Sequence, residues 1–217
     1  MKKLLLVAFA AFAFSCSSDD SGSSDNNGGN NGNDNGVAFI KGKMDDVAFN
    51  YNVNNDANDT FLYNALSGFS GEGSDRWYYY GGAVMTINSQ SFAPGFSIAW
   101  NNMYFGEGGD EEGEAAAFYN SVGNLPSNYL TSAQDDAHLK GIEIAYESAN
   151  GTFYGSKGGS QTGSTMTVTK YTQGTTFDAK TMQIEGTFSC KLYNDEDAGD
   201  VITVSDGKFK LILTSFQ

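Results

Sequence analysis

The most regular stretch of the chain is TMQIEGTFSCKLYN, residues 181–194. Met182, Ile184, Phe188, Cys190 and Leu192 share one parity with Gly186, while Gln183, Glu185, Thr187, Ser189 and Lys191 share the other. A period of two predicts a β-strand with one apolar and one wet face. Gly186 inside it marks a bulge or a close approach of another backbone. Asp195 to Asp200 supply a turn, and VITVSDGKFKLIL follows, with Phe209, Leu211 and Leu213 alternating with Lys208 and Lys210. Asp206-Gly207 reads as a hairpin turn or as a bulge within one long strand. The bulge is preferred, because arms flanking a turn would need another partner. Residues 181–194 and 200–214 then form a closing antiparallel hairpin.

Earlier segments show weaker alternation. VAFIKGK and VAFNYNV flank Met44-Asp45-Asp46 and predict an opening hairpin. FLYNALS, WYYYGGAVMTIN, GFSIAWNNMYF, LKGIEIAYES and TMTVTKYT follow, separated by Gly, Ser, Asn and Asp. Short strands with frequent turns predict an all-β fold: an antiparallel β-sandwich or, alternatively, a partly open β-barrel. One stretch differs. EGEAAAFYNSVG has acids early, three Ala, and Gly123 at the stop position. This predicts one short helix near 112–122, with Glu112 and Glu114 at the positive end of its dipole and Gly123 at C′.

The N-terminus is organised differently. Lys2 and Lys3 precede an apolar run from Leu4 to Phe14. That run is too short for a bilayer-spanning helix, which needs roughly 20 residues, and fits the core of an export signal. Ala13, Phe14 and Ser15 lead into Cys16. The arrangement resembles the lipobox of bacterial lipoproteins, although Leu is usual where Ala13 stands and a small residue where Phe14 stands. The resemblance implies cleavage after residue 15, acylation of Cys16, and anchorage in the lipid bilayer. More than one acyl chain, each CH₂ contributing about 0.8 kcal/mol, makes such an anchor stable. Residues 17–36, SSDDSGSSDNNGGNNGNDNG, carry no apolar side chain. They predict a flexible tether of about 25 Å r.m.s. span. The organisation is thus 1–15 signal peptide, 16–36 lipidated Cys and tether, and 37–217 a single β-domain. Ser17-Ser18-Asp19-Asp20 also resembles the acidic export signal of surface-exposed Bacteroidota lipoproteins, which implies display outside the outer membrane, with a periplasm-facing anchor as the alternative.

Charge narrows the partners. The 217 residues hold 12 Lys+Arg against 26 Asp+Glu, a net charge of −14. Without Lys2, Lys3 and the tether's Asp19, Asp20, Asp25 and Asp34, ten basic residues still face twenty-two acidic ones. The balance argues against nucleic acid, whose phosphates require a basic stripe, and against electrostatic docking on anionic lipid. An aromatic content of 14% argues for a folded chain.

The ends of the domain carry a further resemblance. Gly186-Thr187-Phe188-Ser189-Cys190 and Val204-Ser205-Asp206-Gly207-Lys208-Phe209 resemble the G-T-F-x-F and V-T-x-G-x-F ends of small all-β lipoprotein domains of unknown function from Flavobacteriia and relatives. Cys190 replaces the usual aromatic. The resemblance covers the ends of the domain and implies compartment and fold class. It brings no catalytic residues.

Chemistry is sparse. His138, in AQDDAHL beside Asp135 and Asp136, is the only histidine and reads as a polar loop residue. Neither G-x-S-x-G nor H-E-x-x-H occurs. Cys190 lies on the apolar parity and reads as a reduced, buried thiol. Two acidic clusters, Glu107, Asp110, Glu111 and Glu112 in GEGGDEEGE and Asp195 and Asp197 in the last turn, are candidates for Ca²⁺, which accepts irregular oxygen-rich loops. No other cofactor is expected. In Arg76-Trp77-Tyr78-Tyr79-Tyr80 the rings alternate between faces, and Trp100 and Tyr104 add more. Trp77, Tyr79, Trp100 and Tyr104 are therefore candidates for stacking on a glycan or peptide, with a doubly buried core strand as the plain alternative. The expected function is a non-enzymatic, surface-tethered binding module for glycan or peptide. The alternatives are an accessory subunit of an outer-membrane β-barrel complex and, more weakly, a hydrolase with paired carboxylates.

Overall fold

The computed structural model describes residues 36–54, 60–70, 77–87, 93–104, 118–131, 139–176 and 179–215, all within the compact unit Asn33–Gln217. Ten strands make up the described domain: β1 (Ala38–Met44), β2 (Val47–Val53), β3 (Phe61–Ser70), β4 (Trp77–Thr86), β5 (Gly95–Tyr104), β6 (Gly141–Glu147), β7 (Phe153–Gly155), β8 (Thr165–Thr176), β9 (Ala179–Asn194) and β10 (Val201–Thr214). They form one antiparallel sheet in the order β2-β1-β10-β9-β7-β6-β5-β4-β3, with β8 also on β9. The fold is all-β, and its architecture is the partly open barrel: the ten strands coil as a single sheet until β3 returns towards β10. Three-residue β7 is too short to show as alternation in the sequence.

Both expected hairpins are present. Asp45 and Asp46 have φ of 46° and 67°, the left-handed pair that a two-residue turn between twisted strands requires. The Asp45 Oδ1 accepts the Thr203 N–H at 2.9 Å, which ties this turn to β10. β9 and β10 pair from Thr181↔Thr214 to Tyr193↔Val201, with a register shift between Val204 and Gly207. Asp206-Gly207 is thus a bulge in one strand, with Asp206 at φ 52°. A Cβ on Gly207 would meet the Phe188 ring at 2.7 Å, so a larger residue does not fit. Gly186 marks a close approach: a Cβ there would collide with the Thr167 carbonyl oxygen and the Phe209 ring. The accompanying irregularity lies opposite, on β8, between Val168 and Lys170.

The expected helix is a short one. Residues 118–122 are helical, and 112–117 lie outside the described residues. Gly123 donates its N–H to Tyr119 O at 2.9 Å but does not have the positive φ of a C′ glycine. The Asn124 side-chain amide donates to Asn120 O at 2.9 Å and caps the last turn instead.

Three side chains complete the wall where strands do not. β10 runs four residues past its last registered pair with β1, Phe39↔Lys210. There the Tyr63 hydroxyl, from β3, accepts the Ile212 N–H at 2.9 Å and donates to Ile212 O at 2.6 Å. One phenol thus takes the place of a missing strand at the seam. Between β8 and β7, the Gln161 amide accepts the Lys191 N–H at 3.0 Å and donates to Lys191 O at 2.6 Å. Between β6 and β8, residues 128–130 run beside β6 through Leu130 N–H to Ile142 O and Ile142 N–H to Asn128 O, each 2.9 Å. From there the Tyr129 hydroxyl reaches Ser189 O at 3.0 Å and Thr165 O at 3.2 Å. Burial raises the pKa of the Tyr63 and Tyr129 phenols well above their ordinary value, so both stay protonated donors.

The inner face is packed with rings. Phe96 lies 5.4 Å from Phe49, 5.8 Å from Phe188 and 6.0 Å from Tyr146 between centroids, and Trp100 lies 6.0 Å from Phe209. Met182, Ile184, Phe188, Cys190 and Leu192 are all buried, as their shared parity requires. Like other small barrels, this one is filled by its own side chains.

Tyr63→Phe keeps the ring and removes the seam hydroxyl, which leaves Ile212 N–H and C=O without it. We expect a loss of about 1–3 kcal/mol in denaturant unfolding with an unchanged m-value. An unaltered midpoint would show that the seam does not depend on this hydroxyl.

Candidate functional site

The aromatic candidates separate. Trp100 is fully buried and donates Nε1–H to Pro126 O at 3.1 Å. It is a core residue and does not stack on a ligand, because its cross-strand partner Tyr80 also points inward and is buried. Tyr78 lies parallel to Tyr80 with centroids 6.4 Å apart. Tyr79 sits where β4 and β5 shift register, faces outward, and is 38% exposed. Its ring lies over Gly68 of β3, where a Cβ would meet it. Trp77, two residues earlier, is half-buried, and the Tyr104 side chain lies outside the described residues. Of the three candidates whose side chains are described, Tyr79 is exposed, Trp77 half-buried and Trp100 buried.

Of the acidic candidates, only Asp195 and Asp197 are among the described residues. Glu107, Asp110, Glu111, Glu112 and His138 lie outside the described residues, as does Cys16. Asp195 and Asp197 are exposed. Asp197 Oδ1 accepts the Gly199 N–H at 2.9 Å and shapes the turn. Asp200 accepts from Tyr154 Oη at 2.9 Å and Asn194 Nδ2 at 3.0 Å, contacts that hold its carboxyl below the ordinary carboxylate range. Among the described residues no three of His, Cys, Asp and Glu are grouped as metal ligands. The last turn therefore brings no third ligand to the Asp195 and Asp197 proposed for calcium.

A surface that the linear sequence does not display lies on the outer wall of β8, β9, β10 and β1. Residues opposite one another in register share a face. The pairs Lys41↔Lys208, Lys210↔Glu185, Lys208↔Thr187, Thr187↔Thr167 and Ser189↔Thr165 therefore all point outward. Lys43, Lys170 and Lys191 belong to the same wall. Among the described residues, six of nine lysines thus stand on one face with two of ten carboxylates, Glu185 and Asp206.

Those two carboxylates are engaged. Glu185 Oε1 is 2.9 Å from Lys170 Nζ and 3.2 Å from Gln183 Nε2. Asp206 Oδ2 is 2.7 Å from Lys43 Nζ, and that hydrogen bond and charge hold the Asp206 carboxyl below its usual range. Lys210 Nζ donates to Gly36 O at 2.9 Å, and Lys41 lies over the Phe39 ring, 5.1 Å from its centroid. Lys208 has no ion pair with a described residue. It borders a shallow depression of about 580 Å³ together with Thr165, Thr187, Ser189, Asp206 and Gly207. This is a cationic, hydroxyl-lined strip on an otherwise acidic molecule, suited to holding anionic or polyhydroxylated ligands.

No protein-family model, curated protein or solved structure matches the chain. No helix among the described residues is long and apolar enough to cross a membrane.

Two predictions follow from the packing. Trp100→Ala should destabilise the domain by about 3–5 kcal/mol and Trp77→Ala by much less, as read by chemical denaturation; equal losses would refute the separation of the two rings. Cys190 is buried, and burial pushes its thiol pKa far up. In the folded protein it should stay unmodified by a thiol-specific disulfide reagent that labels it at once in guanidinium. Rapid labelling of the native protein would contradict its burial.

Proposed function

We propose that this chain is an exported lipoprotein, anchored in the outer membrane through acylated Cys16 and held by residues 17–36, whose β-domain is a non-enzymatic binding module for glycan displayed at the cell surface. The observation that carries the binding reading is the segregation of lysines and hydroxyls on the outer wall of β8–β9–β10–β1. The barrel interior is occupied by Trp100, Phe96, Phe118 and Phe209, all fully buried, so a ligand is met on the outside. Thr165, Thr187 and Ser189 offer donors and acceptors to sugar hydroxyls, and the Trp77 and Tyr79 rings give a second, smaller stacking surface. Export and lipidation rest on the N-terminal residues, Lys2 and Lys3, the apolar run and Cys16.

The test begins with protein purified from membranes in mild detergent. Palmitate labelling that disappears in Cys16→Ala is expected, together with loss of the protein to protease applied to intact cells. Hydrogen exchange with and without bound polysaccharide should then show protection on β1, β9 and β10. A stoichiometric barrel protein that copurifies, with no polysaccharide binding, would replace this reading with that of an accessory subunit.

A further inference from the structure

We propose that the lysine wall selects an acidic polysaccharide, a linear glycan bearing carboxylates or sulfates, and that Lys41 and Lys208 are its central contacts. The inference rests on the binding-module reading and names the ligand class of that site.

Three observations lead to it. First, Lys41 and Lys208 are directly opposite in register, so both stand on the outer face at one level of the wall, where a single anionic group can reach both. Neighbouring Lys210 is one pleat repeat further along the same strand, roughly 7 Å away, so cationic groups recur along a line rather than around a point. Second, the depression beside Lys208 is lined by Thr165, Thr187 and Ser189, together with Asp206, whose charge is paired with Lys43. Hydroxyl partners fit a sugar chain, whose own hydroxyls alternate with its charges. Third, the wall is long: β9, at its centre, has 16 residues, roughly 50 Å at 3.3 Å per residue. It can hold several sugar units in extended form.

The same features disfavour a lipid surface. Among the described residues none of the exposed large apolar side chains points out from this wall, and Phe39 is buried beneath Lys41. A planar anionic bilayer would also meet the acids that flank the wall, Asp45 and Asp46 at the β1–β2 turn and Asp195, Asp197 and Asp200 at the β9–β10 turn. These turns share one end of the wall, and at a Debye length of about 8 Å a single chain lying along the strip away from that end escapes most of their repulsion, while Asp206 and Glu185 inside the strip are paired with Lys43 and Lys170.

The lipidated full-length protein in phosphatidylcholine nanodiscs is titrated with polygalacturonate, with neutral dextran and with phosphatidylglycerol vesicles. Polygalacturonate is expected to bind, to weaken on the order of tenfold in Lys41→Gln/Lys208→Gln, and to be released by about 0.5 M NaCl. Lys140→Gln, a charge off the wall, should bind as wild type; a loss as large as in the double variant would reduce the effect to net charge and overturn the site. Unchanged binding in the double variant would also overturn the site. Dextran bound as tightly as polygalacturonate would overturn the selectivity while leaving a glycan module in place. Capture of the vesicles alone would overturn the inference in favour of a membrane surface. Binding to no probe would remove both this inference and the binding-module reading.

Discussion

A coiled sheet that does not close by strand pairing leaves backbone N–H and C=O groups at its gaps, and every other feature of this domain depends on how those groups are satisfied. A buried, unmet backbone group costs about 1–3 kcal/mol, a large share of the margin of a small domain. Here the cost is avoided by side chains that imitate a strand. Tyr63 meets both backbone groups of Ile212 across the seam, and Gln161 meets both backbone groups of Lys191 between β8 and β7. Tyr129 bridges from beside β6 to the β8–β9 pair. Each needs a side chain with a donor and an acceptor at its tip, which is why Tyr and Gln occupy these places and an aliphatic residue would not serve.

Closure by this route fixes the division of labour between inside and outside. Once β3 is held against β10, the inner faces of all the long strands meet across a space narrow enough for Phe96, Trp100, Phe188 and Phe209 to touch. Among the described residues this interior is taken up by the domain's own side chains. The binding role proposed for the domain then falls to the outer faces. A flat surface recognises best through repeated charge and hydroxyl groups or through exposed rings, and this domain presents the first on β8–β9–β10–β1 and a short version of the second at Trp77 and Tyr79.

Strand alternation was legible wherever one face is buried. The parity of β9, the Asp206-Gly207 bulge, the turn at Asp45-Asp46 and the buried state of Cys190 all follow from local pattern. The misreadings share one cause. Trp100 and Tyr79 lie on strands of similar composition, and nothing in the linear text separates the ring that points inward from the one displaced by the β4–β5 register shift. Gly123 was read as a left-handed stop, yet the Asn124 side chain does that work. The lysine wall was invisible for a deeper reason. Lys208 and Lys210 read as outward residues, but Lys41 faces Lys208 only because β1 pairs with β10, at the far end of the chain. Neighbourhood between strands distant in sequence is tertiary information. Tyr63 and Gln161 likewise look like ordinary polar positions until the edges they cover are known.

The segregation of charge is the one feature that stability does not account for. Strands β1 and β10 would pair as well with Thr or Gln in place of Lys41 and Lys208, because the ladder is made by backbone groups. Random placement of the described lysines and carboxylates would intersperse them, and interspersed pairs would also lower the self-repulsion of an acidic molecule. Instead, among the described residues, the cations are gathered, and Asp45, Asp46, Asp195, Asp197 and Asp200 gather at two turns on one end of the wall, beside Val201 and Thr203. The proposed preference for a narrow anionic chain over a broad anionic surface rests on this arrangement, since such a chain can lie over the lysines, whose two carboxylate neighbours are already paired, and away from the acidic turns.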